Sequence, residues 1–166
     1  MDEQAFKSAM RRLAATVTII STGDVQGCRF GMTATAITSV SMEPPSLLVC
    51  VNRSASIHDP LSVRGRFCIN VLGTSHEDHC LDFSGRQSGE GRFSRGRWQT
   101  ACGIPYLVGG QASIFCDVDQ RIAYGSHTIF IGRVIRCLVR GESEPLIYVN
   151  GQFAGKEQPS KCETVV

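Results

Sequence analysis

The segment "GGQASIFCDVDQRIAYGSHTIFIGRVIRCLV", residues 109–139, constrains the fold more than any other part of the chain. It reads as two long strands rich in Ile, Val and Phe, joined by a turn at Gly125-Ser126. A hairpin of that length is not stable alone and needs further strands to cover its apolar face. The rest of the sequence offers them. "TVTIIST" (16–22) is β-branched and closed by Gly23-Asp24, and "RFCINVL" (66–72) is a second apolar run. "GMTATAITSVSMEPPSLLVCVN" (31–52) gives two extended segments, 32–41 and 46–51, because Pro44-Pro45 forbids one continuous strand. "EPLIYVNGQF" (144–153) is the last ordered piece.

Helical signals are fewer. Residues 2–15 place Phe6, Ala9, Met10 and Leu13 at helical spacing. Asp59-Pro60 reads as a helix start with Asp59 as N-cap, and Gly65 as its end. Residues 75–83 suit one more helix, while the Gly-, Arg- and Ser-rich stretch 84–100 reads as a long loop or lid. The expectation is one domain over 1–155 with a flexible tail at 156–166. Its class is mainly β with small helices, as an antiparallel barrel or sandwich.

Composition removes several classes of function. A chain of 166 residues with 42% hydrophobic side chains can build a core without metal or disulfides. The net charge of +2, with no long basic block, gives no reason to expect nucleic acid. No apolar run approaches the ~20 residues of a membrane span, and the polar start "MDEQAFKSAMRRL" lacks a signal-peptide core. The eight cysteines are scattered, without a CxxC pair, as in a cytoplasmic protein whose thiols pack as small hydrophobes. His76, His79 and Cys80 in "HEDHC" offer soft ligands but no fourth partner nearby, so no metal is expected. The dinucleotide, P-loop and hydrolase-elbow motifs are missing.

Three stretches carry candidate chemistry. Read as one strand, 33–41 turns Thr33, Thr35, Ile37, Ser39 and Ser41 to one face and Ala34, Ala36, Thr38 and Val40 to the other. Taken alone, that pattern favours an ordinary solvated face over a ligand-bearing one. "VNRSAS" (51–56) sets Arg53, Ser54 and Ser56 before a helix start, which suits a phosphate or simple capping. In "GSHTIFIG", His127 stands where the Gly-Ser turn enters a strand; a lone His there is more often structural.

Taken together, "AFKSAMRRLAATVTIIST", "GMTATAITSVSMEPPSLLVCVN", "GRFCINVL", "GIPYLVGGQASIFC", "GSHTIFIGRV" and "PLIYVNGQF" resemble, in order over roughly residues 5–155, the flavin reductase family with the FMN-binding split-barrel fold. The members are reductase components of two-component flavin-dependent monooxygenases. The resemblance implies FMN or FAD as the flavin and NADH or NADPH as hydride donor. It implies a homodimer that passes diffusing reduced flavin to a monooxygenase component. It implies that Thr33, Ala34, Thr35, Ala36, Ser39, Val40, Cys50, Val51 and Asn52 cradle the flavin, with Arg53 and Ser54 near its phosphate. Arg86, in "FSGR", becomes a candidate for phosphate or adenine. His127 becomes the candidate catalytic residue beside the ring and the nicotinamide, and Tyr148 a flank of the same site. Three positions depart from the family pattern. Thr35 replaces Asn or Ser, Ile37 replaces Phe, and Ser126 replaces the Asp that often precedes the His. A flavoprotein reducing ferric iron or a cobalt corrinoid, and a non-catalytic flavin-binding module, remain the other readings.

Overall fold

A computed structural model of the chain describes residues 2–154, so the expected tail at 156–166 lies outside the described residues. Helix α1 (Glu3–Met10) is capped by the Asp2 carboxylate, which accepts from the Gln4 N–H. It is shorter than the expected 2–15. None of its residues is buried, and the chain unwinds through i→i−3 bonds from Arg12 and Leu13. Strands β1 (Ala15–Thr16), β2 (Thr18–Gly23) and β3 (Arg29–Ala34) follow. The expected extended segment 32–41 is broken at Thr35-Ala36, after which come β4 (Ile37–Met42) and β5 (Pro45–Asn52). The break closes with the Ile37 N–H on the Thr35 carbonyl at 3.1 Å.

Helix α2 (His58–Arg64) starts earlier than expected, with Ile57 rather than Asp59 at the cap position. A turn from Asn52 to Ala55 already winds the chain, so Asp59 falls inside the first turn. Pro60 is tolerated there because first-turn amides need no intrahelical acceptor. Gly65, at φ 67°, ends the helix as expected. β6 (Arg66–Val71) leads to a single 3₁₀ turn, α3 (Glu77–Leu81) and a wide turn at Asp82–Arg86. The expected lid is instead a 3₁₀ turn (Gly89–Phe93) followed by β7 (Arg97–Ala101), which pairs with β8 (Ile104–Val108). Phe93 and Trp98 pack on Phe83, with ring centroids 5.0 and 5.3 Å from it, and this aromatic cluster anchors the segment. β9 (Ala112–Tyr124) and β10 (His127–Val139) form the expected hairpin, and β11 (Ile147–Val149) and β12 (Gln152–Phe153) close the chain.

Seven strands make one sheet in the order β3-β2-β6-β9-β10-β5-β4, with every pairing antiparallel. β3 and β4 are consecutive in the chain yet occupy opposite edges. The sheet therefore curls until its two edges meet at the Thr35-Ala36 corner without pairing, which is a split barrel. β2 is buried along its whole length, with Ile20 in the barrel core beside Val49, Phe67 and Phe130. Ile19 faces a second core beneath α3 with Leu72, Phe83, Phe93 and Leu107. Buried polar side chains are matched inside. Thr18 and Thr22 donate to the Ala34 and Arg66 carbonyls at 2.7 Å. Asn70 joins the Ile19 carbonyl, the Ser21 hydroxyl and the Leu107 N–H at 2.8–3.0 Å.

Candidate functional site

The seam of the barrel gathers most of the predicted residues. Arg92 donates to the Gly31 carbonyl at 2.9 Å, so the main-chain polar groups of Gly31 point away from β2. In an antiparallel ladder a residue turns both of those groups to the same side, and the side alternates. Thr33 therefore also presents its N–H and C=O to the seam. Its hydroxyl donates to the Cys80 carbonyl at 2.8 Å, fixing α3 along this edge. On the other bank, the β4 register ends at Val49 whereas β10 pairs through to Asn52. The Cys50 N–H reaches the Ala36 carbonyl at 3.3 Å. Beyond that point Val51 and Asn52 run on without β4.

Thr35 stands at the corner and lines three cavities. One of about 430 Å³ is shared with Thr33, Cys80, Ser84, Tyr148 and Gln152. One of about 290 Å³ is shared with Tyr148, Met10 and Asn150. The largest, about 640 Å³, runs from Leu13 past Ala36 to Val71 and Ile114. A further cavity of about 420 Å³, between Val25 and Val63, holds none of the predicted residues.

A second group is fastened to the first through β5. The Arg53 N–H bonds the Ser126 carbonyl at 2.9 Å, and the Arg53 guanidinium bonds the Gly125 carbonyl. The "VNRS" loop and the β9–β10 turn thus move as one piece. Asn52 holds the loop by accepting from the Ser54 N–H at 2.9 Å and the Ser54 hydroxyl at 2.8 Å. His127 lies directly opposite Asn52 in the β5–β10 register. Its Nδ1 meets the Ser126 hydroxyl at 2.9 Å, so Ser126 orients the ring without adding charge.

Several predicted residues are placed differently. Ala34 and Val51 are buried in the core, leaving only their main chain for a ligand. Ser39 pairs with Leu47, five positions from Asn52 along β5, or about 17 Å at ~3.3 Å per residue. The structure does not bring Ser39 and Val40 to the seam, because the break at Thr35-Ala36 carries them along the far edge. Cys50 is half-buried and shares its face of β5 with Asn52.

Arg86 is engaged elsewhere. It bonds Asp82 at 2.6 Å and Asp78 at 3.0 Å, while Arg95 takes the other Asp82 oxygen at 3.0 Å. The Arg86 hydrogen bond, reinforced by Arg95, holds the buried Asp82 carboxyl below the usual carboxylate range. Two cations facing two carboxylates make a closed, neutral cluster. Arg92 and Ser84 were not singled out from the sequence, and Cys80 only as a soft metal ligand, yet all three border the seam. Among the described residues no group of three or more His, Cys, Asp or Glu side chains could hold a metal ion. His76 and His79 meet edge to face at 5.1 Å, and His76 Nδ1 accepts from the Gly73 N–H.

A seam lined by main-chain polar groups and hydroxyls, with cavities at one end and a guanidinium-bearing loop at the other, suits an elongated ligand with a flat head and an anionic tail. Comparison with known proteins agrees in family. Residues 10–157 match the flavin reductase like domain. This chain belongs to the flavin reductase family. The reductase component of the FADH(2)-dependent resorcinol hydroxylase from Rhizobium sp. (strain MTP-10005) is 45% identical over 154 residues, covering 90% of this chain and 85% of that protein. The FMN reductase (NADH) RutF of Pseudomonas syringae pv. syringae is 37% identical over 154 residues, covering 92% and 86%. Among solved structures, the Streptomyces globisporus C-1027 NADH:FAD oxidoreductase SgcE6, in complex with NAD and FAD fragments, superposes with a TM-score of 0.85. It is 27% identical, covering 96% of this chain and 95% of that one. The family's split barrel and this chain's curled, unclosed sheet are the same architecture.

Proposed function

We propose that this flavin reductase oxidises NADH or NADPH and delivers reduced FMN or FAD to a partner monooxygenase. The observation that carries the reading is the seam itself. One corner, Thr35-Ala36, joins three cavities to a loop whose Arg53 is bolted to the turn before His127 and whose Ser54 is held by Asn52. The residues fit a flavin. Ala36 leaves room for a planar ring at the corner, Thr33 offers main-chain partners to a polyol, and Arg53 and Arg92 face no carboxylate among the described residues. When bound, the flavin supplies the hydride-accepting chemistry. The chain supplies position: Asn52 and Ser126 fix His127 beside the seam, where its ring can hydrogen-bond a second, nicotinamide-bearing molecule.

The protein works as a homodimer in the cytoplasm. Helix α1 buries nothing; Phe6, Met10 and Leu13 are 49–62% exposed, and Met10 and Leu13 line the cavity of about 640 Å³. Ile122 and Tyr124 are further exposed apolar side chains, on the hairpin. A second copy covers such a surface more economically than water does. No helix of the described residues is long and apolar enough to cross a membrane.

The test is steady-state NAD(P)H oxidation with and without added FMN or FAD, together with flavin absorbance titration. Oxidation should depend on flavin. No flavin-dependent oxidation and no spectral change at roughly tens of micromolar flavin, a range in which even modest affinity registers, refutes the proposal.

A further inference from the structure

We infer that His58 is a positioning residue for His127, acting through the Thr128 hydroxyl on the opposite face of β10. The inference rests on the flavin reductase reading, in which the His127 ring meets the nicotinamide-bearing molecule.

Three side chains from two elements form a short relay. His58 opens α2, and its Nδ1 lies 2.7 Å from the Asp59 carboxylate. Its Nε2 lies 2.9 Å from the Thr128 hydroxyl. An ionised carboxylate only accepts, so Nδ1 carries a proton. In the neutral ring Nε2 then accepts, and the Thr128 O–H donates to it. The His58 side chain is 14% exposed and meets Phe130 edge to face at 5.9 Å. Thr128 is buried between Val51 and Ala123 in the ladder, and among the described residues its hydroxyl bonds nothing but this ring.

The alternation of β10 gives the relay its consequence. Successive strand residues point to opposite faces. Thr128 and Phe130 turn to the buried side, with Phe130 in the barrel core, while His127 turns to the side it shares with Asn52. His127 is exposed and follows directly on a Gly-Ser turn, so on its own side only the Ser126 hydroxyl holds the ring. The Thr128 bond fixes the next main-chain unit from behind. It ties that unit to the start of α2, where Ile57 and Leu61 are fully buried. A helix rooted in the core thus sets where the His127 ring stands. The "VNRSAS" loop is held without the relay, by Asn52 on Ser54 and by Arg53 on Gly125 and Ser126. Loss of the relay should therefore touch the use of nicotinamide rather than the binding of flavin.

The experiment measures kcat and KM for NADH and NADPH, and the FMN dissociation constant, for the wild type, Thr128→Val, Thr128→Ser and His58→Leu. Each variant is also made in a His127→Ala background. Thr128→Val should lower kcat/KM by about five- to tenfold, as a lost buried hydrogen bond implies. FMN affinity should stay within about twofold. Thr128→Ser keeps the hydroxyl and should restore most of the loss. His58→Leu removes the other partner and should match Thr128→Val, so the inference stays testable if one of the two folds poorly. In the His127→Ala background either change should cost less than about 1.5-fold, because nothing is left to position. The chain has four histidines, so single substitutions assign its imidazole nitrogen resonances. Those of His127 should shift or broaden in Thr128→Val. Equal losses with and without His127, a loss that Thr128→Ser does not restore, or wild-type kinetics in both Thr128→Val and His58→Leu would overturn the inference. Unchanged His127 nitrogen signals in Thr128→Val would overturn it whether or not the protein is active. A wild type without flavin-dependent NAD(P)H oxidation would overturn the flavin reductase reading instead.

Discussion

Gly31→Ala tests the join between the aromatic core and the seam. Gly31 sits in β3 with ordinary extended geometry, so no left-handed conformation demands glycine. What demands it is Phe83. A Cβ at position 31 would lie 2.5 Å from Phe83 Cε1 and 2.9 Å from Cδ1. That ring cannot simply swing aside, because Phe83 is 3% exposed and packed against Phe93 and Trp98. Overpacking of this kind costs about 1–3 kcal/mol. The alanine returns about 0.4–1 kcal/mol by restricting the unfolded chain. The mid-range difference is a destabilisation of about 1.3 kcal/mol, or a fall in Tm of about 3–5 °C for a chain of this size. Urea and thermal denaturation measure it directly. Phe83→Leu in the same background should recover part of the loss, a coupling that a double-mutant cycle isolates. A variant at least as stable as the wild type would refute the packing argument.

Two further outcomes follow from the site and from α3. His127→Ala should lower kcat/KM for the nicotinamide substrate by about tenfold, roughly 1.4 kcal/mol, and His127→Asn by less, because Asn still reaches a hydrogen-bond partner; wild-type stopped-flow reduction rates in both variants would make the residue structural. Burial pushes the His79 imidazole below its ordinary value of 6.5, and both its ring nitrogens are buried without a hydrogen-bond partner. Between that lowered value and 6.5 the unfolded chain binds the extra proton, so stability should fall as pH drops through this window and be unaffected above it. His79→Leu should shrink the difference in urea midpoint between about pH 5 and about pH 8; an unchanged difference would assign the acid sensitivity to other groups, of which His76 shifts in the same direction.

The long hairpin was legible because runs rich in Ile, Val and Phe on either side of a Gly-Ser turn are local signals. The break at Thr35-Ala36 was not. No glycine or proline marks it, and only the meeting of two sheet edges makes the chain turn there. β7 was hidden because the stretch around it, 84–100, is rich in glycine and arginine; what orders that segment is Phe93 and Trp98 finding Phe83. The resemblance pointed to Thr35 at the corner between β3 and β4, to Asn52 and Arg53 at the end of β5, and to His127, which lies opposite Asn52 at the start of β10. It also pointed to Arg86, and there a local signal was available. Asp82 and Arg86 stand four apart, the spacing at which side chains on one helical face neutralise each other. Arg92 gave no such signal, since its acceptors are two main-chain carbonyls and a hydroxyl 36 positions away.

The fold explains why the site lies where it does. A fully closed barrel pairs every edge, and its seam offers a ligand nothing. Here the two edge strands are consecutive in the chain and are joined by two residues only. Yet β3 pairs with β2 and β4 with β5, and the two edges do not pair with each other. The polar groups left along Gly31, Thr33 and the end of β5 must then be met from outside the sheet. Arg92 meets one of them at Gly31, and a hydroxyl-rich ligand can meet the others at Thr33 and Asn52. The ligand would thus complete the hydrogen bonding that the barrel leaves open. Binding and incomplete closure are two aspects of the same geometry, and a substitution that tightened the seam should cost flavin affinity even if it raised stability.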